Sequence, residues 1–140
     1  MNKHRSLLVG RSELGRTVLA GLPFSPEELI AQVQGQIIAD PHYESNYCME
    51  FDVGRVLEPA PPFRYLNHSC APNCELILWE DEEYPDNPEL CLHALTSVQR
   101  GDELTIDYGW GAAAAIPCQC GSANCRGWIV EDGQLAAVQQ

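Results

Sequence analysis

Short apolar runs broken by Gly, Pro, Asn or Asp make up most of the chain. "RTVLA" (Arg16–Ala20), "YCMEFDV" (Tyr47–Val53), "ELILW" (Glu75–Trp79), "LCLHAL" (Leu90–Leu95) and "ELTI" (Glu103–Ile106) are β-branched or alternating, the signature of strands. The pattern predicts a mainly β protein. A single helix start stands out in "SPEEL", with Ser25 as N-cap, Pro26 at the first helical position and Glu28 completing a capping box. Gly35 and the apolar "QII" follow closely, so this helix is expected to last a turn or two. "EPAPP" (Glu58–Pro62) and "EDEEYPDNPE" (Glu80–Glu89) read as loops, the second as an exposed hairpin excursion. "AAAA" (Ala112–Ala115) reads as a linker, and the last residues, "DGQLAAVQQ", as a frayed tail.

Size narrows this to one domain: 140 residues with 45% hydrophobic content suffice for a single modest core. Twenty acidic residues against eight basic ones give a net charge of -12. That balance argues against direct nucleic-acid binding through a basic surface and favours a positively charged partner. The segment at Glu80–Glu89 carries six of those acidic residues and is either an acidic lip facing a basic substrate or a solvated loop. "MNKHRSLLVGRSELG" has no apolar run of signal-peptide length, and no segment approaches the roughly 18 apolar residues of a membrane span. The expectation is a soluble, intracellular protein, cytoplasmic if prokaryotic, with a nuclear location open. Seven cysteines, an odd count without an export signal, then point to thiols and metal rather than to a disulfide framework.

Three of those cysteines, Cys118, Cys120 and Cys125, form C-x-C-x4-C, with Gly121 permitting the tight turn that lets sulfurs of one loop converge on an ion. Tetrahedral zinc needs a fourth ligand. Cys48, Cys70, Cys74, Cys91 and the four histidines are all candidates, and spacing does not choose among them. Upstream lies a polar knot, "RYLNHSCAPNC" (Arg64–Cys74), whose Asn67 and His68 suit either a satisfied turn network or a functional site. Cys70 with His68, two positions apart on an extended chain, also fits a thiol nucleophile and its base, without an orienting third group.

Taken with "GDELTIDYG" and "CQCGSANCRGW", that knot resembles the signatures of the SET-domain protein lysine methyltransferases that carry a post-SET zinc segment. The resemblance covers about Leu14 to Ile129. It implies a SET-domain fold of several small sheets with a C-terminal pseudoknot and a short zinc-binding post-SET segment. The boundaries implied are residues 6–111 for the SET domain, without a pre-SET segment, then 112–130 for linker and post-SET segment and 131–140 for a disordered tail. The fourth ligand to one structural zinc ion, beside Cys118, Cys120 and Cys125, is by resemblance Cys70. Cys48, Cys74 and Cys91 then become small buried hydrophobes.

The activity implied is transfer of a methyl group from S-adenosylmethionine to a lysine of a basic protein, a histone or histone-like one among the options. Tyr108 matches the catalytic tyrosine, although the same residue read without the family is an ordinary half-buried tyrosine. Leu14, Gly15, Arg16, Tyr47, Arg64, Tyr65, Asn67, His68 and Trp128 match cofactor-lining positions. Two departures fall in the lysine channel, where Val33 and Ile106 stand in place of aromatic residues. Thr17 replaces the second glycine of the usual cofactor loop. These departures set up the alternative, a catalytically weak or inactive module that binds a protein partner. A domain this small is also a candidate for homodimerisation.

Overall fold

A computed structural model of the chain describes residues 6–13, 15–40, 42–43, 45, 47–52, 54–80, 82–83, 88–109 and 115–138. The linker expected at Ala112–Ala115 lies outside them apart from Ala115. The strands are β1 (Leu7–Ser12), β2 (Gly15–Ala20), β3 (Leu29–Gln32), β4 (Gly35–Ile38), β5 (Met49–Asp52) and β6 (Arg55–Pro59) in the first half. β7 (Asn67–His68), β8 (Cys74–Trp79), β9 (Glu89–Ala94), β10 (Thr105–Ile106), β11 (Ile116–Pro117) and β12 (Trp128–Ile129) follow. They assemble as small sheets: β1–β2, β3–β9–β8, β4–β6–β5, β7–β10 and β11–β12.

β9 lies at the centre of its sheet, which explains why "LCLHAL" reads as a continuous apolar run: all its residues after Glu89 are buried. Its neighbour β8 is at the edge and alternates, with Cys74 buried and Glu75, Ile77 and Trp79 exposed. His93 is the buried polar residue of β9, and its Nε2 accepts the Trp79 indole N–H at 3.1 Å. Leu92, Val18 and Leu104 are fully buried and form the centre of one core, with Phe51, Leu57 and Phe63 packed beyond them. β8 and β9 pair up to Trp79 opposite Glu89; of the acidic segment expected to form a hairpin excursion between them, residues 81 and 84–87 lie outside the described residues.

At "SPEEL" the chain turns but does not form a helix. The Glu28 carboxylate does accept the Ser25 N–H at 2.9 Å, as in a capping box, and the Glu28 N–H donates to the Ser25 carbonyl at 3.0 Å. Glu27, however, has φ of 69°, which closes a type II turn and sends the next residues into β3. Pairing of Leu29 with His93 and the Val98–Phe24 bonds on the near side outweigh the weak local helix signal. At the C-terminal end a 3-10 turn spans Asp132–Gln134 and one helical turn, α1, spans Leu135–Val138, with no buried residue in α1. The Ala-rich "LAAV" favours that turn, and the Gln134 N–H donating to the Glu131 carbonyl at 2.9 Å begins it.

The returning run Asp102–Ile106 positions the site. Its first part lies on β2, with the Leu104 N–H donating to the Val18 carbonyl and the Ala20 N–H to the Asp102 carbonyl, both at 2.8 Å. Its second part, β10, pairs in parallel with β7, Thr105 opposite Asn67 and Ile106 opposite His68. A parallel pair joined through a whole antiparallel hairpin is the strand arrangement that the implied pseudoknot requires. Asn73, just before β8, is fastened to this run: its Nδ2 donates to the Glu103 carbonyl at 2.8 Å, and its Oδ1 accepts the Thr105 N–H at 2.9 Å. The side-chain amide thus acts as one rung of a ladder. Among the described residues no helix is long and apolar enough to cross a membrane.

Candidate functional site

The parallel pair β7–β10 ends in Asp107–Gly109, and there the polar residues converge. Tyr108 packs against the core, its hydroxyl donates to the Leu66 carbonyl at 2.5 Å, and its N–H donates to His68 Nδ1 at 3.0 Å. The Tyr108 and His68 rings lie 5.4 Å apart, tilted by 58°. Burial pushes the Tyr108 hydroxyl up to about 12, with the negative charge of Glu103 adding to the effect. At neutral pH it is therefore a protonated donor. His68 is buried and shifted down from its ordinary value, chiefly by that burial, against the pull of nearby Asp107. With Nδ1 accepting, the neutral ring carries its proton on Nε2.

Two further groups lie alongside. Arg16 at the start of β2 donates to the Tyr65 hydroxyl at 2.8 Å, with its guanidinium 5.2 Å from the Tyr65 ring centroid. The Asn67 amide donates to Glu103 at 2.9 Å and to the Arg16 carbonyl at 3.3 Å, so the Gly15–Arg16 corner is tied to β7. Arg64 stacks on exposed Tyr47 at 4.5 Å, and its buried Nε has no hydrogen-bond partner among the described residues. Of the other expected cofactor residues, Leu14 lies outside the described residues. Trp128 sits part-buried opposite Pro117 in the β11–β12 ribbon. Val33 and Ile106, the expected channel residues, are both in the buried core against which Tyr108 packs.

The cysteines separate as the resemblance implied. The Sγ atoms of Cys70, Cys118, Cys120 and Cys125 all lie within 4.8 Å of one another, and Cys70 and Cys118 are 3.9 Å apart. Tetrahedral zinc with bonds of about 2.3 Å places its sulfurs roughly 3.8 Å apart, whereas a disulfide requires about 2.05 Å. The four residues fit one zinc ion. Positive φ at Gly121 (75°) makes the turn that brings Cys118 and Cys120 round toward Cys125, whose N–H donates to the Ser122 carbonyl at 3.1 Å. Donors already face the sulfurs: the Arg126 N–H to Cys70 at 3.3 Å, the Gly127 N–H to Cys125 at 3.4 Å, and Ser122 Oγ 3.1 Å from Cys120. Burial opposes ionisation of Cys120, but the Ser122 hydroxyl and nearby donors outweigh it and bring this thiol down to about 5.

Cys74 and Cys91 are buried as expected, but Cys48 is only part-buried, with its sulfur 3.5 Å from the Ser45 carbonyl. The reading of Cys70 as a nucleophile meets a different obstacle. His68 Nε2 does lie 3.4 Å from its sulfur, but the same sulfur belongs to the four-cysteine cluster, and burial raises the Cys70 thiol rather than activating it. Four residues of the site escaped the sequence reading: Asn73, Glu103, Asp107 and Arg126. All lie within the three quoted motifs, and their fixed spacing from Tyr108 and Cys125 was the available signal. Arg126 Nη2 donates to Asp107 Oδ2 at 2.9 Å, joining the cysteine loop to the Tyr108 segment.

Comparison with known proteins agrees with this geometry. The SET domain pattern matches residues 15–109. Histone-lysine N-methyltransferase ash1 of Drosophila melanogaster is 27% identical over 135 residues, covering 84% of this chain and 6% of that protein. Histone-lysine N-methyltransferase trr of the same organism is 34% identical over 102 residues, covering 66% of this chain and 4% of that protein. The chain thus spans a small fraction of the curated relatives it matches. The crystal structure of KRYPTONITE in complex with mCHG DNA and SAH superimposes with a TM-score of 0.74 at 23% identity, over 88% of this chain and 28% of that one. With the family pattern spanning most of the folded region and the four-cysteine cluster in place beyond it, the chain belongs to the SET-domain family.

Proposed function

We propose that the protein transfers the methyl group of S-adenosylmethionine to the ε-amine of a lysine in a basic protein, with histones the first substrates to examine. The observation that carries this reading is Tyr108: a protonated, anchored hydroxyl at the end of β10, beside β7 and the Gly15–Arg16 corner. Relatives named as histone-lysine methyltransferases support it, as does a SET-domain neighbour crystallised with SAH and an H3(1-15) peptide.

The nucleophile is the lysine nitrogen, which must be neutral to attack. Holding a lysine of pKa about 10.4 neutral at pH 7 costs roughly 4.6 kcal/mol, which an apolar channel offsets by withholding water from the cation. Val33 and Ile106 supply apolar surface on the core side of Tyr108. When bound, S-adenosylmethionine would supply an electrophilic methyl: the nitrogen–carbon bond forms as the sulfur–carbon bond breaks, leaving a protonated methyl-lysine and neutral S-adenosylhomocysteine, the one proton of the net reaction having gone to solvent when the lysine ammonium was neutralised. Tyr108 orients the amine, and much of the rate comes from alignment of the three reacting atoms. Arg16, Tyr65, Asn67 and His68 form the cofactor wall with Gly15, Tyr47, Arg64 and Trp128. Cys70, Cys118, Cys120 and Cys125 would hold one zinc ion, whose part would be structural, tying the cysteine loop to the end of β7.

Calorimetric titration with S-adenosylhomocysteine, followed by incubation with labelled S-adenosylmethionine and core histones, tests the reading. Binding together with label on lysine is expected. Binding without label on any of a broad set of basic proteins returns the protein to the non-catalytic binding role.

A further inference from the structure

Cys70 and Tyr108 are joined by two routes that close a polar ring. In one, His68 Nε2 faces Cys70 Sγ at 3.4 Å while its Nδ1 accepts the Tyr108 N–H at 3.0 Å. In the other, the Arg126 N–H donates to Cys70 Sγ at 3.3 Å while its guanidinium donates to Asp107 Oδ2 at 2.9 Å. Asp107 Oδ1 in turn accepts the Gly109 N–H at 3.0 Å. Three consecutive residues are thus each held: Asp107 by Arg126, Tyr108 by His68 and Gly109 by Asp107. The Arg126 side chain is 11% exposed and that of Asp107 36%, so water and salt reach the pair from the carboxylate side. A metal bound by four thiolates carries net negative charge, which the Arg126 N–H and the proton on His68 Nε2 both favour.

We infer that Arg126 and Asp107 are positioning residues, whose ion pair couples the four-cysteine metal loop to the Tyr108 segment so that a filled metal site holds the Tyr108 hydroxyl in place. The consequence for catalysis rests on the methyl-transfer reading. The coupling itself concerns the folded chain and is measured without any transfer.

Site-resolved amide exchange on the zinc-loaded full chain tests it. Arg126→Gln and Asp107→Asn are expected to retain one zinc yet speed exchange at Tyr108 and Gly109 about tenfold, leaving Leu92 unchanged, because each releases one clamp on that segment. Arg126→Lys should stay close to wild type, since the ion pair is a single contact that an ammonium can make. Stripping zinc from wild type with a chelator should speed the same two amides, and do so less in Arg126→Gln. On a methylated substrate, kcat should fall about tenfold or more in the Gln and Asn variants with little change in KM. Unchanged exchange at Tyr108 and Gly109 in both variants overturns the inference, as does equal acceleration by zinc removal in wild type and Arg126→Gln. Should Arg126→Gln fail to fold, Asp107→Asn, outside the cysteine loop, decides the matter. A protein that transfers no methyl overturns the proposed function, while the exchange result still stands on its own.

Discussion

Tyr108 bears the largest consequences of any single side chain. Its hydroxyl is raised to about 12 by burial, against an ordinary value of 10.0. Below pH 10 it is protonated in folded and unfolded chains alike, so its contribution to stability is intact. As pH rises from 10 toward 12 the unfolded chain ionises first, and stability falls by up to about 2 kcal/mol. Urea unfolding at pH 8 and pH 11 should therefore show a smaller alkaline loss in Tyr108→Phe than in wild type. At pH 8 the same variant should be less stable by about 1 kcal/mol, because the Leu66 carbonyl loses its donor. An alkaline loss identical in the two proteins would contradict the buried, protonated hydroxyl. Tyr108 was legible only through resemblance: a tyrosine before a glycine carries no local mark of function. Asn73 was not legible, since its ladder role depends on a strand more than thirty positions away.

At the scale of elements, close backbone contact and metal ligation decide what can change. Gly35 in β4 sits where an added Cβ would collide with the Glu58 carbonyl oxygen and lie 2.9 Å from Pro59 Cα on β6. Gly35→Ala should cost about 1 to 3 kcal/mol, read as a shift in urea midpoint; a neutral outcome would mean that the β4–β6 register is wrong. The turn before β3 offers a change of opposite sign. Glu27, strained at φ 69°, should gain about 0.5 kcal/mol on replacement by glycine, and a loss of stability would argue against that backbone. For the metal loop, Cys70→Ser should release zinc, measured by a chromophoric chelator, and expose residues 115–129 to protease, since such a site contributes on the order of 10 kcal/mol. Retention of a full zinc equivalent by that variant would remove Cys70 from the ligand set.

The strands most readable from the pattern were those with a decided environment: buried β9, alternating β8 and β2 with its buried Thr17 and Val18. β1, β4 and β6 were not singled out, because exposed edges and a proline at the end of β6 blur their period. "SPEEL" misled because Ser, Pro and Glu at that spacing suit a type II turn as well as a helix start. The ligand triad was legible in its own spacing, but the fourth ligand was not, since Cys70 reaches the cluster only by the fold's return.

For the molecule as a whole, the net charge of -12 bears on how a basic substrate is captured. A basic substrate steered by that charge should bind less well as ionic strength rises, so KM should increase between 50 and 300 mM salt, roughly severalfold, with kcat little changed. A flat KM would show that long-range charge has no part in substrate capture. The central claim is that this SET-domain chain methylates lysine through Tyr108. Mass spectrometry of histone peptides after incubation with zinc-loaded protein and S-adenosylmethionine, wild type beside Tyr108→Phe, tests it most directly. The account predicts methyl groups on lysine from wild type and at least a hundredfold less from Tyr108→Phe with S-adenosylhomocysteine binding retained; equal methylation by the two would contradict it.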